Sequence, residues 1–165
     1  MNILKKCIQL FSTSLVYYQT GANSKGKVRA NFPCKLTKKC FFGKNVNFNG
    51  IKVYGDGEVR FGNNFHSGKN VKFITSFHNY DKGMKIPYDD TFITKNIIIE
   101  DNVWIGNNVI VLGGVKICEG AVIQAGSVVV SNINYCSVVG GAPAKEFKKR
   151  DIEHYENLKD KSMFF

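Results

Sequence analysis

The chain has no cysteine pair at CxxC spacing and no cysteine–histidine cluster spaced to grip zinc, which excludes zinc-finger and dithiol-redox classes. Its five cysteines, at 7, 34, 40, 118 and 136, are odd in number and are expected as free thiols of a reducing cytoplasm. No apolar run is long enough to cross a bilayer. The N-terminal stretch MNILKKCIQLFSTSLVYYQT is interrupted by Gln9, Ser12, Thr13 and Ser14, and no small-x-small cleavage site follows it, so it does not read as a secretion signal. It reads instead as a short amphipathic helix, with Ile3, Leu4, Cys7, Ile8 and Phe11 docked on the domain. Peripheral membrane contact is the alternative. Histidines number only three and tryptophan one, so candidate chemistry is narrowed to few residues.

What is present is basic. The formal net charge is +10 over 165 residues. That excess suits either an ordinary basic surface or attraction to an anionic ligand such as a nucleotide or phosphorylated cofactor. The lysines are scattered rather than gathered with aromatics, which argues against nucleic acid as partner. The length allows one well-buried domain.

The organising feature is an internal repeat. From Ile99 an aliphatic residue recurs every six positions, at Ile105, Val111, Ile117, Ile123 and Val129, and four residues after each stands Val103, Val109, Val115, Ala121, Ser127 or Ile133. An earlier stretch keeps the beat with larger residues: Phe42, Phe48 and Tyr54, then a one-residue slip, then Phe61, Ser67 and Phe73, with Phe65, Val71 and Phe77 as companions. Alternating side chains put residues two apart on one side of a strand, so six residues make a short straight face and a tight corner. Gly106-Asn107-Asn108, Gly113-Gly114, Gly120 and Gly126 mark the corners, where positive φ is required. Three faces close one coil, and neighbouring coils bury each other's core. An antiparallel sandwich, whose turns come every eight to twelve residues, fits this beat poorly, and the β-branched residues and glycine pairs exclude a long helix.

The stretch IIIEDNVWIGNNVIVLGGVKICEGAVIQAGSVVVSNINYCSVVGGAPAKEFKKR resembles the hexapeptide-repeat acyltransferases, which include sugar and surface-polysaccharide O-acetyltransferases. The resemblance implies an all-β solenoid, a left-handed parallel β-helix. The residues add a short N-terminal segment, an inserted loop after His78 where the hexad register is lost, and a C-terminal α-helix among the charged helix formers after Pro143. The resemblance also implies a homotrimer with active sites between subunits and acetyl-coenzyme A as donor. From the residues themselves no metal and no integral membrane segment are expected, and the unpaired cysteines suit a cytoplasmic setting. The expected layout is a single domain: an N-terminal segment over 1–35, a β-helix over 36–143 with a loop at 79–96, and a terminal helix and tail over 144–165.

Of the histidines, His154 falls in the charged terminal helix and His66 on the outer surface of the early repeats, whereas His78 stands where the coil gives way to the loop. Rigid scaffold beside mobile loop suits a catalytic group, and a neutral imidazole suits removal of a hydroxyl proton near neutral pH. The family resemblance assigns the base to His78; Asp81, acidic and close in sequence, ranks first as its orienter, with Asn79, an acid from another coil or a backbone carbonyl as alternatives. Asn79, Tyr80 and Trp104 are expected on the acceptor side, Trp104 from its VWIG context. Small residues at Gly106, Gly114, Ala125 and Gly126 would admit a pantetheine arm, Ala142 in the GGAPAK turn would border it, and Lys145 would meet a phosphate.

The resemblance implies O-acetylation of a sugar hydroxyl in surface-polysaccharide or glycan synthesis, with an amino sugar or an antibiotic as other acceptors. Outside that class stand a γ-type carbonic anhydrase, which needs three zinc-binding histidines, and a non-catalytic scaffold, which has no use for the His78 loop.

Overall fold

The computed structural model describes residues 3–165. The chain opens with helix α1 (Ile3–Thr20) and then winds through fifteen strands: β1 (Val28–Ala30), β2 (Cys40–Phe42), β3 (Val46–Tyr54), β4 (Val59–Phe61), β5 (His66–Ile74), β6 (Ser76–His78), β7 (Phe92–Thr94), β8 (Ile97–Ile99), β9 (Trp104–Ile105), β10 (Ile110–Leu112), β11 (Lys116–Ile117), β12 (Val122–Ile123), β13 (Val128–Val129), β14 (Ser137–Gly141) and β15 (Ala144–Lys149). Helix α2 (Ile152–Asp160) follows.

The strands stack in parallel on three faces. The first face runs β1, the start of β3, the start of β5, β9, β12 and β14. The second carries the far halves of β3 and β5, then β10 and β13, and the third β2, β4, β8 and β11. Every residue of the later sixfold series, Ile99 to Val129, is at most 2% exposed, and its companions from Val103 to Ile133 are buried as well. The period of six is therefore the inward beat of a solenoid.

Coil length explains the phenylalanines. In the later coils Ile105 pairs with Ile123 and Ile99 with Ile117, a step of 18. In the early coils Phe42 pairs with Phe61, a step of 19, and Val53 with Phe73, a step of 20. A longer perimeter encloses a wider prism, and larger side chains fill it to native density. Phe42, Phe48, Phe61, Phe65 and Phe73 form one ring cluster, and Phe61 has four partners at centroid distances of 5.0–5.5 Å. The slip falls earlier than the sequence suggests. Gly50 turns the chain at φ 88°, so Val53 faces inward and Tyr54 stands 37% exposed. Phe77 is not in the coil at all, but on β6.

Corners are held by asparagines in the left-handed region that this side chain tolerates. Asn45, Asn64 and Asn102 have φ of 53°, 52° and 59°, and each amide donates to the next at 3.0 and 2.8 Å. Asn70 and Asn108 repeat the device at a second corner.

Both ends of the stack expose backbone groups of an unpaired edge, and this governs the terminal segments. At the first coil, Ala30 N–H donates to Thr13 Oγ1 at 3.0 Å, Val28 N–H to Tyr17 Oη at 3.2 Å and Leu36 N–H to Gln19 Oε1 at 3.0 Å. Helix α1 therefore docks through Ser12, Val16 and Thr20, and Ile3, Leu4, Cys7, Ile8 and Phe11, expected on the docked side, are exposed. At the last coil the chain after Pro143 is a strand rather than the expected helix. β15 pairs antiparallel with β14, and only then does α2 start, with Asp151 capping His154 N–H at 3.0 Å. Tyr155 and Lys159 of α2 reach Glu119 at 2.9 and 2.7 Å and tie the helix to the coil.

Candidate active site

The coil is interrupted once. After β5 the chain leaves the corner between the second and third faces, forms the antiparallel hairpin β6–β7, and returns at β8. Paired positions on either side differ by 38 residues, Phe61 with Ile99 and Ser67 with Ile105, so the excursion adds 20 residues to an 18-residue coil. Thr75 anchors its foot: Thr75 Oγ1 accepts from Gly57 N–H at 3.0 Å and donates to Tyr54 O at 2.9 Å. A Cβ on Gly57 would lie 2.5 Å from Lys95 O, which explains the glycine there.

His78 ends β6. Its ring stacks on Tyr88 at 3.8 Å between centroids and 16° between planes, and meets Phe92 at 4.4 Å. Nδ1 is buried without a hydrogen-bond partner. Two aromatic rings rather than a carboxylate hold the imidazole. Asp81 is exposed, and no hydrogen bond joins it to His78 among the described residues. Asn79 spans the hairpin instead, donating to Thr91 Oγ1 at 3.2 Å and accepting from Lys82 N–H at 3.1 Å. Tyr80 is exposed beside it.

The residue that organises the loop is Asp89, which sequence inspection passes over. It accepts from Met84 N–H at 2.7 Å, Thr91 N–H at 2.9 Å and Thr91 Oγ1 at 2.5 Å. These donors, Thr91 Oγ1 foremost, hold its carboxyl below the usual carboxylate range. Tyr88 and Phe92 were legible only as aromatics ten and fourteen positions beyond the histidine, a spacing with no regular period to flag it.

The other expected residues lie elsewhere on the prism. Trp104 is 54% exposed on the first face, in register with His66 and Val122. Beside it a groove of ≈ 300 Å³ runs past Gly106, Val122, Ala125, Val138 and Phe147. Gly106 and Ala125 touch across successive coils: a Cβ on Gly106 would sit 2.6 Å from Ala125 N. Gly126 follows at φ 76° with open space around it, and Ala142 and Lys145 flank the exposed β14–β15 turn. Gly114 is apart from these, at the corner by the hairpin foot, with Lys95 3.1 Å from its would-be Cβ. Within one chain, then, Trp104 and the groove occupy the first face, while His78 projects from the corner opposite it. The structure does not bring them together in a single copy.

On the first face, below Trp104, a second cleft of ≈ 420 Å³ is lined by His66, Arg150, Tyr155, Lys159 and Phe165 among others. Burial, with help from Arg29, lowers the pKa of His66, and burial above all pushes that of Tyr155 up to about 12.

A triangular solenoid with a hairpin thrown from one corner defines a class, the left-handed parallel β-helices, and the relatives narrow it. The model of the bacterial transferase hexapeptide (six repeats) matches residues 96–131. C18B11.09c of Schizosaccharomyces pombe, named as an acetyltransferase, is 33% identical over 155 residues, spanning 92% of this chain and 72% of that one. A solved hexapeptide-repeat acetyltransferase of Vibrio cholerae, in complex with acetyl-coenzyme A, superposes with a TM-score of 0.66 at 28% identity, covering 82% of this chain and 74% of that one. A maltose O-acetyltransferase of Clostridium difficile 630 shares the fold, with a TM-score of 0.64, 21% identity, and 91% and 90% coverage. The chain belongs to the hexapeptide-repeat acetyltransferases.

Proposed function

We propose that this enzyme transfers the acetyl group of acetyl-coenzyme A to a hydroxyl of a sugar acceptor, of the kind found in surface polysaccharides and glycans, in the cytoplasm. The observation that carries the mechanism is the ring-clamped imidazole of His78. With Nδ1 enclosed, Nε2 is the nitrogen left to meet an acceptor hydroxyl, and stacking on Tyr88 fixes its direction. As the hydroxyl oxygen attacks the thioester carbonyl, its proton passes to Nε2. The tetrahedral intermediate then collapses, the carbon–sulfur bond breaks, and the imidazolium returns the proton to the departing thiolate. Such general-base help contributes about 10²–10⁴-fold.

A base working through Nε2 carries its own proton on Nδ1. That N–H has no acceptor in the described chain, so in the working enzyme it is met by a rearranged Asp81 or by a neighbouring copy. The opposite placement of His78 and the Trp104 face supports the same arrangement. If both serve one reaction, they do so across a junction of copies, as in a homotrimer. Trp104, with Asn79 and Tyr80 from the loop, then borders the acceptor. The groove past Gly106, Ala125 and Gly126 takes the pantetheine arm, Ala142 borders it, and Lys145 meets a phosphate. Gly114 contributes space at the hairpin foot.

The test is release of coenzyme A thiol from acetyl-coenzyme A with matched acceptors, neutral sugars against their amino-sugar counterparts. Turnover with hydroxyl acceptors is expected. Turnover confined to amines would shift the assignment to N-acetylation, and none with either would overturn the sugar reading.

A further inference from the structure

We propose that the outward face of α1, together with the basic first coils, docks on an anionic lipid surface. The proposal stands apart from the acetyl-transfer site, and it starts from the reversed docking of α1. The helix turns about 100° per residue, which puts Ser12, Val16 and Thr20 on one side and Ile3, Leu4, Leu10, Phe11 and Tyr18 on the arc opposite, with Ile8 on the flank between. The first set is buried against the coil; Ile3 is 80% exposed, Leu10 60%, Phe11 67% and Tyr18 85%. The polar side of an amphipathic helix ordinarily faces water. Here it is used up in capping the solenoid edge, and the apolar arc is what the molecule presents. Beside the helix a cavity of ≈ 530 Å³, largely apolar, opens between Ile8 and Phe32, with Lys5 and Lys69 at its rim.

Charge identifies the occupant. The chain holds no acidic residue before Asp56, yet ten basic ones: Lys5, Lys6, Lys25, Lys27, Arg29, Lys35, Lys38, Lys39, Lys44 and Lys52. All ten are exposed. A second copy meeting this end would set these cations against their equals without a counter-charge. A nucleic acid would meet the cations but has no use for Leu10 and Phe11. An interfacial helix with large apolar residues on one arc and lysines beside it is what binds an anionic headgroup layer and inserts to shallow depth. No described helix is long and apolar enough to cross a membrane, so the attachment is peripheral.

The experiment is co-sedimentation of the full chain with vesicles of phosphatidylcholine alone or mixed with phosphatidylglycerol, at low and high salt. Binding is expected only to the mixed vesicles, and weaker at high salt. The double variant L10E/F11E, altered at two exposed positions, is expected to lose it while keeping its circular dichroism spectrum and donor binding. K5Q/K6Q is expected to weaken it by about fivefold per lysine. Absence of sedimentation with mixed vesicles would overturn the proposal, as would unchanged binding by L10E/F11E. A fall in solution mass of L10E/F11E would also overturn it, by showing that this face joins copies of the chain.

Discussion

Replacing Phe61 by alanine tests whether the early coils are wide because of their length. The ring is 3% exposed and stands among four others: it stacks on Phe42 at 5.3 Å and meets Phe48, Phe65 and Phe73 at 5.5, 5.0 and 5.3 Å. Truncating a buried phenylalanine costs about 3–5 kcal/mol, the upper part of that range where neighbours cannot collapse into the void. Hydrogen-bonded coils on both sides pin the β4 backbone, through β2 and β8, so collapse is limited and about 4 kcal/mol is expected. With a urea slope of about 2 kcal/mol/M for a chain of this size, the unfolding midpoint drops by roughly 2 M at fixed protein concentration. The reverse change tests the same geometry. Ile117 follows Phe61 two coils on along the third face, in register through Ile99, but inside an 18-residue coil. Ile117→Phe overpacks it and costs about 2 kcal/mol. A midpoint shift below about 0.5 M for Phe61→Ala, or a neutral Ile117→Phe, would refute the link between coil length and side-chain size.

Two further outcomes are expected. Asp89→Ala removes the acceptor for the Met84 and Thr91 amides and for the Thr91 hydroxyl; hydrogen exchange at those two amides rises while that of β8 and β10 does not, and unchanged protection would contradict the organising role given to Asp89. The lowered pKa of His66 makes the unfolded chain the better proton binder, so its share of stability is complete above about 6.5 and is lost as pH falls through the lower folded value. Thermal midpoints at pH 7.5 and 5 should therefore converge in His66→Gln, and an unchanged gap between them would count against the assignment.

Much of the solenoid could be read from the residues because each inward position is dictated locally. Ile99 to Val129 keep their beat across three faces, and every corner needs a residue that tolerates positive φ. The early coils were harder to register. The Gly50 bend leaves five residues rather than six from Phe48 to the next inward position of the series, Val53, which turns Tyr54 outward, and eight residues then separate Val53 from Phe61. The ends were misread for a shared reason: α1 and β15 are shaped by unpaired backbone at the first and last coils, a demand that no amphipathic pattern records. His78 could be singled out by its place at the coil–loop junction. Tyr88, Phe92 and Asp89 could not, because a long excursion brings distant positions together without periodicity. Trp104 and the small residues of the groove were legible as family positions, but only the prism shows that they lie opposite the hairpin.

The central claim is that His78 removes the acceptor's proton, and single-turnover acetyl transfer by His78→Ala tests it most directly. With donor binding measured in parallel by calorimetry, the expected result is unchanged affinity for acetyl-coenzyme A and a transfer rate lower by about 10²–10⁴-fold. A transfer rate within a few-fold of the unaltered enzyme, in a variant that still binds donor, would contradict it.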